Sequence, residues 1–222
     1  MRLHPESSKR RGLSRRTATL AVCLACGLFN AIFIPQALAQ TAPDTVRLRG
    51  TVLSVTPATL TINSRSGEVI ELALSDKMVV SEVFPISLED IKPGSFIGTA
   101  AMPQPDGSLR AIAVSVFRES ARGTGEGHRP FDLLPQSTMT NATVAEVGAV
   151  SGASGGRRLQ LKYKDGEKTV IVPPETPVVT SRPADRGLLL PGASVSLFAQ
   201  SVDGKPTVLR INAGKNGFVL PY

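Results

Sequence analysis

The feature that most constrains the fold of this chain is an internal repeat of its turn signals. Three glycine-containing dipeptides of the first half recur in the same order about 98 residues later. They are Gly67-Glu68 and Gly166-Glu167, Pro93-Gly94 and Pro191-Gly192, and Asp106-Gly107 and Asp203-Gly204. Val52 and Val55 match Val144 and Val147 only at a shorter offset. The repeat predicts a duplicated structural unit whose second copy has a longer first loop.

Each copy predicts short β-strands separated by turns. The chain has 20 glycines and 17 prolines among 222 residues, which is a turn-rich composition. Residues 59–62 and 159–163 alternate between apolar and polar, as expected for strands with one buried face. Residues 87–91 predict an N-cap and a single helical turn before Pro93-Gly94. Five or six antiparallel strands with this one turn predict a small closed barrel of the OB type, with a single β-sandwich formed by both halves as the alternative.

The first 39 residues predict an export signal. A basic segment precedes an apolar run over residues 17–34, and Ala37-Leu38-Ala39 matches an A-x-A cleavage site. We therefore expect a mature chain that starts at Gln40 in the periplasm. An uncleaved anchor is the alternative, because the run is near the lower length limit for a membrane span. Ser14-Arg15-Arg16 partly matches a twin-arginine signal, so the Sec and twin-arginine routes both stay open.

Removal of this leader would change the charge and the reactive groups of the chain. The leader holds six of the 25 basic residues and one of the 18 acidic residues, which leaves 19 and 17. The high isoelectric point therefore reflects targeting, and we predict no nucleic-acid partner. Cys23 and Cys26 both lie in the leader, and only His128 remains of the two histidines. A disulfide, a cysteine nucleophile and a multi-histidine metal site are thus excluded within one mature chain.

These signals divide the chain into five segments. They are the signal peptide at 1–39, a first β-barrel repeat at 40–118, a Gly-rich connector at 119–141, a second β-barrel repeat at 142–214 and a C-terminal tail at 215–222. Pro93-Gly94 and Pro191-Gly192 predict tight turns that need glycine at Gly94 and Gly192. The apolar tail predicts either a segment docked on a barrel or a partner surface.

The connector carries the predicted contact site. It is long for a loop in a compact domain, and such loops are often functional. Gly123, Gly125 and Gly127 alternate with other residues and permit backbone shapes closed to larger side chains. Polar chemistry gathers directly after them around one aromatic side chain. The candidate ligand or partner contacts are Glu126, His128, Arg129, Phe131 and Asp132.

Two interpretations of this connector stay open. In the first, it contacts a ligand, and Glu126, His128 and Asp132 are weak candidates for holding a divalent metal, since carboxylate and imidazole suit such ions. In the second, it is an interdomain clasp in which Arg129 pairs with a carboxylate, Phe131 fills a barrel and His128 only satisfies a hydrogen bond. The sequence has no G-x-S-x-G or H-E-x-x-H motif, and no spacing selects a catalytic pair.

Several motifs resemble a group of uncharacterised exported bacterial proteins built from a small OB-like β-barrel domain of unknown function. They lie at residues 50–52, 87–96, 106–108 and, above all, 123–133. The resemblance implies a β-barrel fold and an envelope address but no established activity. Some members carry the label metal ABC transporter permease. A permease needs several apolar spans, and only the leader of this chain comes close to one.

The sequence as a whole predicts an exported, non-enzymatic binding or adaptor protein of the bacterial periplasm. We expect no cofactor, and we expect an envelope protein or a small ligand as its partner. Membrane contact is expected only through the leader, if that segment is not cleaved. The alternatives are an accessory protein in divalent-metal handling or transport and an enzyme of unknown type.

Overall fold

The computed structural model describes residues 45–150 and 156–222, and the predicted signal peptide lies outside the described residues. The described chain is almost entirely β-structure and belongs to one compact unit, Ala42–Tyr222. Its strands are β1 (Thr45–Val55), β2 (Thr59–Ser64), β3 (Val69–Pro85), β4 (Phe96–Pro103), β5 (Leu109–Val116), β6 (Gly127–Pro130), β7 (Thr138–Ala149), β8 (Arg157–Tyr163), β9 (Gly166–Val172), β10 (Val178–Ala184), β11 (Ser194–Val202) and β12 (Lys205–Gly214).

Three short 3-10 turns complete the secondary structure of the described residues, at Leu88–Asp90, Glu119–Ala121 and Arg186–Leu188. Ser87 caps the first of them: its Oγ accepts a hydrogen bond from the Glu89 N–H at 3.1 Å, and its own N–H donates to Asp90 Oδ2 at 2.9 Å. This is the helical turn that the sequence predicts before Pro93-Gly94. Within the described residues, no helix has the length and apolar character that a membrane crossing needs.

Five strands close into a first barrel. β1 pairs with β2, β2 with β3, and β11 with both β12 and β1, all antiparallel, while β3 and β12 pair in parallel and complete the ring. Leu60, Ile62, Leu72, Leu197 and Ile211 are fully buried inside it. The prediction of an all-β chain with a closed barrel is confirmed. The expectation of purely antiparallel strands is wrong, since β5–β9 and β5–β10 are parallel as well.

Five other strands form a second closed ring. β7 pairs antiparallel with β4 and β8, β4 with β5, and β8 with β9, and a parallel contact between β5 and β9 closes the ring. Ile97, Val114, Leu159, Leu161 and Val170 fill its interior. Because both groups of strands close on themselves, the alternative of a single shared β-sandwich does not describe the fold.

Neither ring is built from one continuous segment. The first takes β1–β3 from the first half of the chain and β11–β12 from the second, whereas the second ring takes β7–β9 together with β4–β5. The predicted division into barrels at 40–118 and 142–214 therefore differs from the observed pairing. The reason lies in the pairing of β3, which stays on β12 of the first ring as far as Val83 and at its end also pairs with β10, so the chain leaves the first ring before β4 begins.

The rings meet where β10 pairs antiparallel with the end of β3, with Val83 opposite Ser181. These two residues are 98 positions apart, the offset that separates the repeated turn dipeptides. Register shifts also recur at corresponding places, after Val52 in β1 and after Val144 in β7. The two rings thus share one plan of strand order and irregularity.

The connector and the tail are more ordered than their composition predicts. Within the connector, β6 pairs with β7, which begins at Thr138 and so before the predicted boundary at residue 142. In the tail, Leu220 is buried against Val83 and Val179 at the junction of the rings. Its N–H donates to Ser194 Oγ at 3.1 Å. Of the two predictions for the tail, docking on the barrels describes its position.

Two glycines turn the chain at equivalent places in the two halves. Gly94 and Gly192 follow Pro93 and Pro191 and have φ angles of +86° and +88°. This left-handed backbone strains any residue with a Cβ. The Gly94 N–H donates to the carbonyl oxygen of Val144 at 2.8 Å, so the turn also ties the second ring together.

Candidate functional site

The outer faces of the two rings enclose a cleft of about 490 Å³. One wall comes from β1, β11 and β12 and the other from β4, β5 and β7, while β3 and β10 contribute Ser81 and Ser181. Strand alternation explains which side chains face it. On β1, Leu48 packs against the first barrel core, so Arg47 and Arg49 lie on the outer face that borders the cleft.

The cleft is strongly cationic. Its lining includes five arginines and no aspartate or glutamate: Arg47, Arg49, Arg118, Arg129 and Arg210. Within residues 45–150 and 156–222, the last three of these have no carboxylate within 4.0 Å. Positive charge gathered in a concave site of low dielectric constant raises the local concentration of anions.

A single carboxylate reaches this cluster from its edge. Arg49 donates from Nη1 and Nη2 to the two carboxylate oxygens of Asp132, at 2.9 and 2.7 Å, and Arg47 Nη1 lies 3.4 Å from Oδ1. The Arg49 side chain is only 10% exposed, whereas that of Asp132 is 56% exposed. The hydrogen bonds from Arg49 lower the pKa of Asp132. Burial lowers the pKa of Arg47, an effect that Asp132 opposes and that Arg49 and Arg129 increase.

Aromatic rings hold the guanidinium groups in place. The register places Arg47, Phe198 and Arg210 side by side on β1, β11 and β12. The guanidinium carbons of Arg47 and Arg210 lie 4.8 and 5.9 Å from the Phe198 ring centroid. The guanidinium carbons of Arg47 and Arg49 lie 4.9 and 5.4 Å from the Phe131 ring centroid. These cation–π contacts order the cations before any ligand arrives.

On the opposite wall, β4 and β7 present neutral side chains to the cleft. Asn141 is 5% exposed, and its Nδ2 donates to the Thr124 carbonyl oxygen at 2.9 Å. Its Oδ1 has no hydrogen-bond partner among the described residues. A Cβ on Gly98 would lie 2.8 Å from that oxygen and 2.9 Å from Phe117 Cε2. Gly98 therefore leaves room for the Asn141 side chain, and any larger residue would push into it.

The docked tail brings Tyr222 to the same cleft. Burial raises the pKa of the Tyr222 hydroxyl, an effect that hydrogen bonding with Ser115 and the positive charge of Arg47 oppose. Tyr222 therefore stays a neutral phenol at physiological pH. It adds a hydroxyl to a lining that is already rich in serine hydroxyls.

A second, polar pocket of about 400 Å³ lies on the other side of the connector. Glu126, His128, Tyr163, Asp165 and Lys168 line it, together with Arg129, which borders both sites. His128 Nδ1 lies 2.8 Å from Thr140 Oγ1, and the Lys164 N–H donates to Glu126 Oε1 at 3.2 Å. Burial lowers the pKa of His128, and the nearby positive charge of Lys168 lowers it further.

The structure divides the five predicted contact residues between these sites. Arg129 and Phe131 line the cleft, Asp132 binds its arginines, and Glu126 and His128 lie in the second pocket. The three candidate metal ligands therefore do not converge. In the part of the chain that the structure describes, no group of three His, Cys, Asp or Glu side chains is placed to hold a metal ion.

The clasp interpretation fits some of these contacts and not others. Arg129 Nη1 donates to the Gly125 carbonyl oxygen at 2.8 Å and not to a carboxylate. Phe131 lies over Arg47 and Arg49 and does not fill a barrel. The ion pair that does join the connector to the first ring is made by Asp132.

The arginines of the strands are not among the contact residues that the sequence predicts. Arg47 and Arg49 carried a usable signal, because two arginines at i and i+2 in an apolar strand lie on one face. Arg210 and Phe198 had no such local signal. They lie beside Arg47 because β11 pairs with β1, and this pairing joins distant parts of the chain.

Comparison of the chain with protein-family models, with curated proteins and with solved structures finds no match. The fold and the cleft define the class: an all-β protein with closed five-stranded rings and an arginine-lined cleft between them.

Proposed function

We propose that this chain is an exported binding protein that holds a small anionic molecule in the cleft between its two rings. The observation that carries the proposal is the set of five arginines that line the cleft without an aspartate or glutamate among the lining residues. Arginine presents several donors in a fixed plane, which suits carboxylate and phosphate oxygens. A volume of about 490 Å³ lies within the usual range for small-molecule sites.

The chemistry of the lining supports binding rather than catalysis. Beside the arginines it offers serine and threonine hydroxyls, two asparagine amides, the Tyr222 phenol and other aromatic rings, with no histidine, lysine, aspartate or glutamate. Such groups orient an anion by hydrogen bonds and ring contacts. General acid–base catalysis depends on a titratable group within reach of the substrate, and beside the arginines the lining residues offer for this only the Tyr222 phenol, which stays neutral.

We also propose that each ring is an OB-like barrel and that the two arose by tandem duplication. The strand order in the first ring, β1-β2-β3-β12-β11, corresponds to β7-β8-β9-β5-β4 in the second. The register shifts and the 98-residue spacing of Val83 and Ser181 support this proposal. The periplasmic location rests on the predicted leader.

Calorimetric titration of the purified protein with inorganic phosphate and with citrate tests the binding proposal. Arg210→Gln should weaken the binding of citrate, which carries several carboxylates, about tenfold, since a hydrogen bond to a charged group contributes about 1.5 kcal/mol or more. Arg158→Gln is the matched control, because Arg158 is exposed on β8 and lines neither site. The proposal fails if neither anion binds above an ionic-strength control, or if the two variants lose the same affinity.

A further inference from the structure

The proposed function does not specify which kind of anion binds. The ion pair between Arg49 and Asp132 at the edge of the cleft narrows the choice. Asp132 presents its carboxylate to both terminal nitrogens of Arg49, as a carboxylate ligand would. The arginine belongs to the wall and is nine-tenths buried, whereas more than half of the Asp132 side chain is exposed. The buried Arg49 Nε has no hydrogen-bond partner among the described residues.

Asp132 is held only lightly on its own side. It lies between β6, which ends at Pro130, and β7, which begins at Thr138. Its side chain forms hydrogen bonds with Arg47 and Arg49 and with no other residue of the described segments. A change in this short loop would release the carboxylate without breaking either barrel core.

Arg210 lies close enough to Arg47, which also contacts Asp132, for one small molecule to reach both guanidinium groups. The guanidinium carbons of Arg47 and Arg210 lie 4.8 and 5.9 Å from the same Phe198 centroid, so they are less than 11 Å apart. Arg47 also contacts Asp132, whereas Arg210 has no carboxylate within 4.0 Å in the described part of the chain. One anionic group at the place of Asp132 would therefore leave a second cation unsatisfied.

We infer that the ligand carries two anionic groups joined by a short linker, and that one of them replaces the Asp132 carboxylate on Arg49 while the other reaches Arg210. This inference rests on the proposed binding function. Asp132 then acts as an internal competitor that occupies the arginines until the ligand displaces it. Because displacement costs the free energy of the Arg49–Asp132 contact, the apparent affinity of the wild type is lower than that of a protein without the competitor.

Titration calorimetry with matched anions tests the inference. Adipate carries two terminal carboxylates and tripolyphosphate two terminal phosphates with a third between them; we call both two-group anions, and butyrate and inorganic phosphate are their single-group counterparts. We expect each two-group anion to bind the wild type at least tenfold more tightly than its counterpart, and Arg210→Gln to remove this advantage. Whether tripolyphosphate or adipate binds more tightly shows whether the cleft prefers phosphate or carboxylate groups.

Asp132→Asn should bind the two-group anions at least fivefold more tightly than the wild type. Asp203→Asn is the matched control: it removes one negative charge from the exposed turn between β11 and β12, lines neither site and should change little. If Asp132 only supports the fold, Asp132→Asn lowers the melting temperature without a gain in affinity, and the inference is overturned. Equal affinity for single-group and two-group anions also overturns it but leaves the proposed binding function intact.

A measurement on the wild type alone covers the case in which Asp132→Asn folds poorly. Displacement of Asp132 should free the loop of residues 131–137, so amide hydrogen exchange there should become faster when tripolyphosphate or adipate binds. Unchanged or slower exchange in the presence of a bound anion contradicts displacement. Failure of every anion to bind either protein refutes the proposed function itself.

Discussion

Replacing Arg182 by alanine should destabilise this protein more than replacing its partner Glu82. The two residues lie opposite each other where β10 pairs with β3, at the junction of the rings. Arg182 donates from Nε and Nη2 to the two carboxylate oxygens of Glu82, at 2.9 and 3.0 Å. The Glu82 side chain is 11% exposed and that of Arg182 is 57% exposed. The buried member of the pair is therefore the anion.

This difference in burial sets the expected magnitudes. Arg182→Ala leaves a carboxylate almost entirely buried without its partner, and we expect it to lower the free energy of unfolding by about 2–3 kcal/mol. The loss of the contact between Arg182 and the Phe84 ring, at 5.0 Å, adds to this. Glu82→Ala leaves a guanidinium that can turn to water, so its cost should be about 1 kcal/mol.

Urea denaturation of the two single variants and the double variant checks the reasoning. The double variant should be close in stability to Glu82→Ala, because removal of the carboxylate removes the reason for the Arg182 penalty. Arg182→Lys, which keeps the charge without the planar fork, should fall between Arg182→Ala and the wild type. A larger loss for Glu82→Ala, or additive losses in the double variant, would refute the assignment of the penalty to a buried carboxylate.

Two further outcomes follow from the strand exchange and from the second pocket. The fragment of residues 45–118 should be a folded dimer when its mass is measured by light scattering. In this dimer, β4 and β5 of each copy would complete the ring formed by β1, β2 and β3 of the other copy, and a folded monomer would contradict this. His128 should make the protein less stable as the pH falls from about 7.5 to about 5.5: its pKa is lowered in the folded state, so the unfolded chain binds the proton more tightly. His128→Gln should flatten this slope in thermal denaturation, and an unchanged slope would exclude His128 as its source.

The barrels could be predicted from local signals, but their strand exchange could not. Alternation and turn dipeptides define strand faces and chain reversals within about ten residues. They do not specify which late hairpin closes which ring, since β4–β5 and β11–β12 carry similar apolar patterns. The polar residues 75–77 also suggest a break between two strands; they lie within the single strand β3, but the register on β12 shifts there, with Leu74 opposite Val208 and Val79 opposite Arg210. The choice of ring therefore depends on the long-range pairings of β3 with β12 and β10.

The candidate site was predictable only in part, for a related reason. The glycines and polar residues of the connector indicate an unusual segment, and two of its residues, Arg129 and Phe131, do line the cleft. Strand alternation also places Arg47 and Arg49 on an outer face. What that face meets depends on the position of the other ring, which no local pattern contains.

Each ring takes strands from both halves of the chain, and the two walls of the cleft have the same strand register but different side chains. Across the first-ring wall, Arg47, Phe198 and Arg210 lie side by side. The corresponding row of the second ring is Met139, Ala100 and Ala113. In the same way, Arg49 lies opposite Ser196, and Asn141 opposite Gly98.

This asymmetry has a physical consequence for binding. Two cationic walls facing each other would repel, and their large side chains would fill the space between them. The strands β4 and β7 present neutral side chains to the cleft, so Arg47, Arg49 and Arg210 face an open volume, while Arg118 and Arg129 reach it from the end of β5 and from β6. An anion bound there would place its charged groups against β1 and β12 and the rest of its body against β4 and β7. The divergence of equivalent positions, more than the barrels themselves, is thus what makes the junction suited to a ligand.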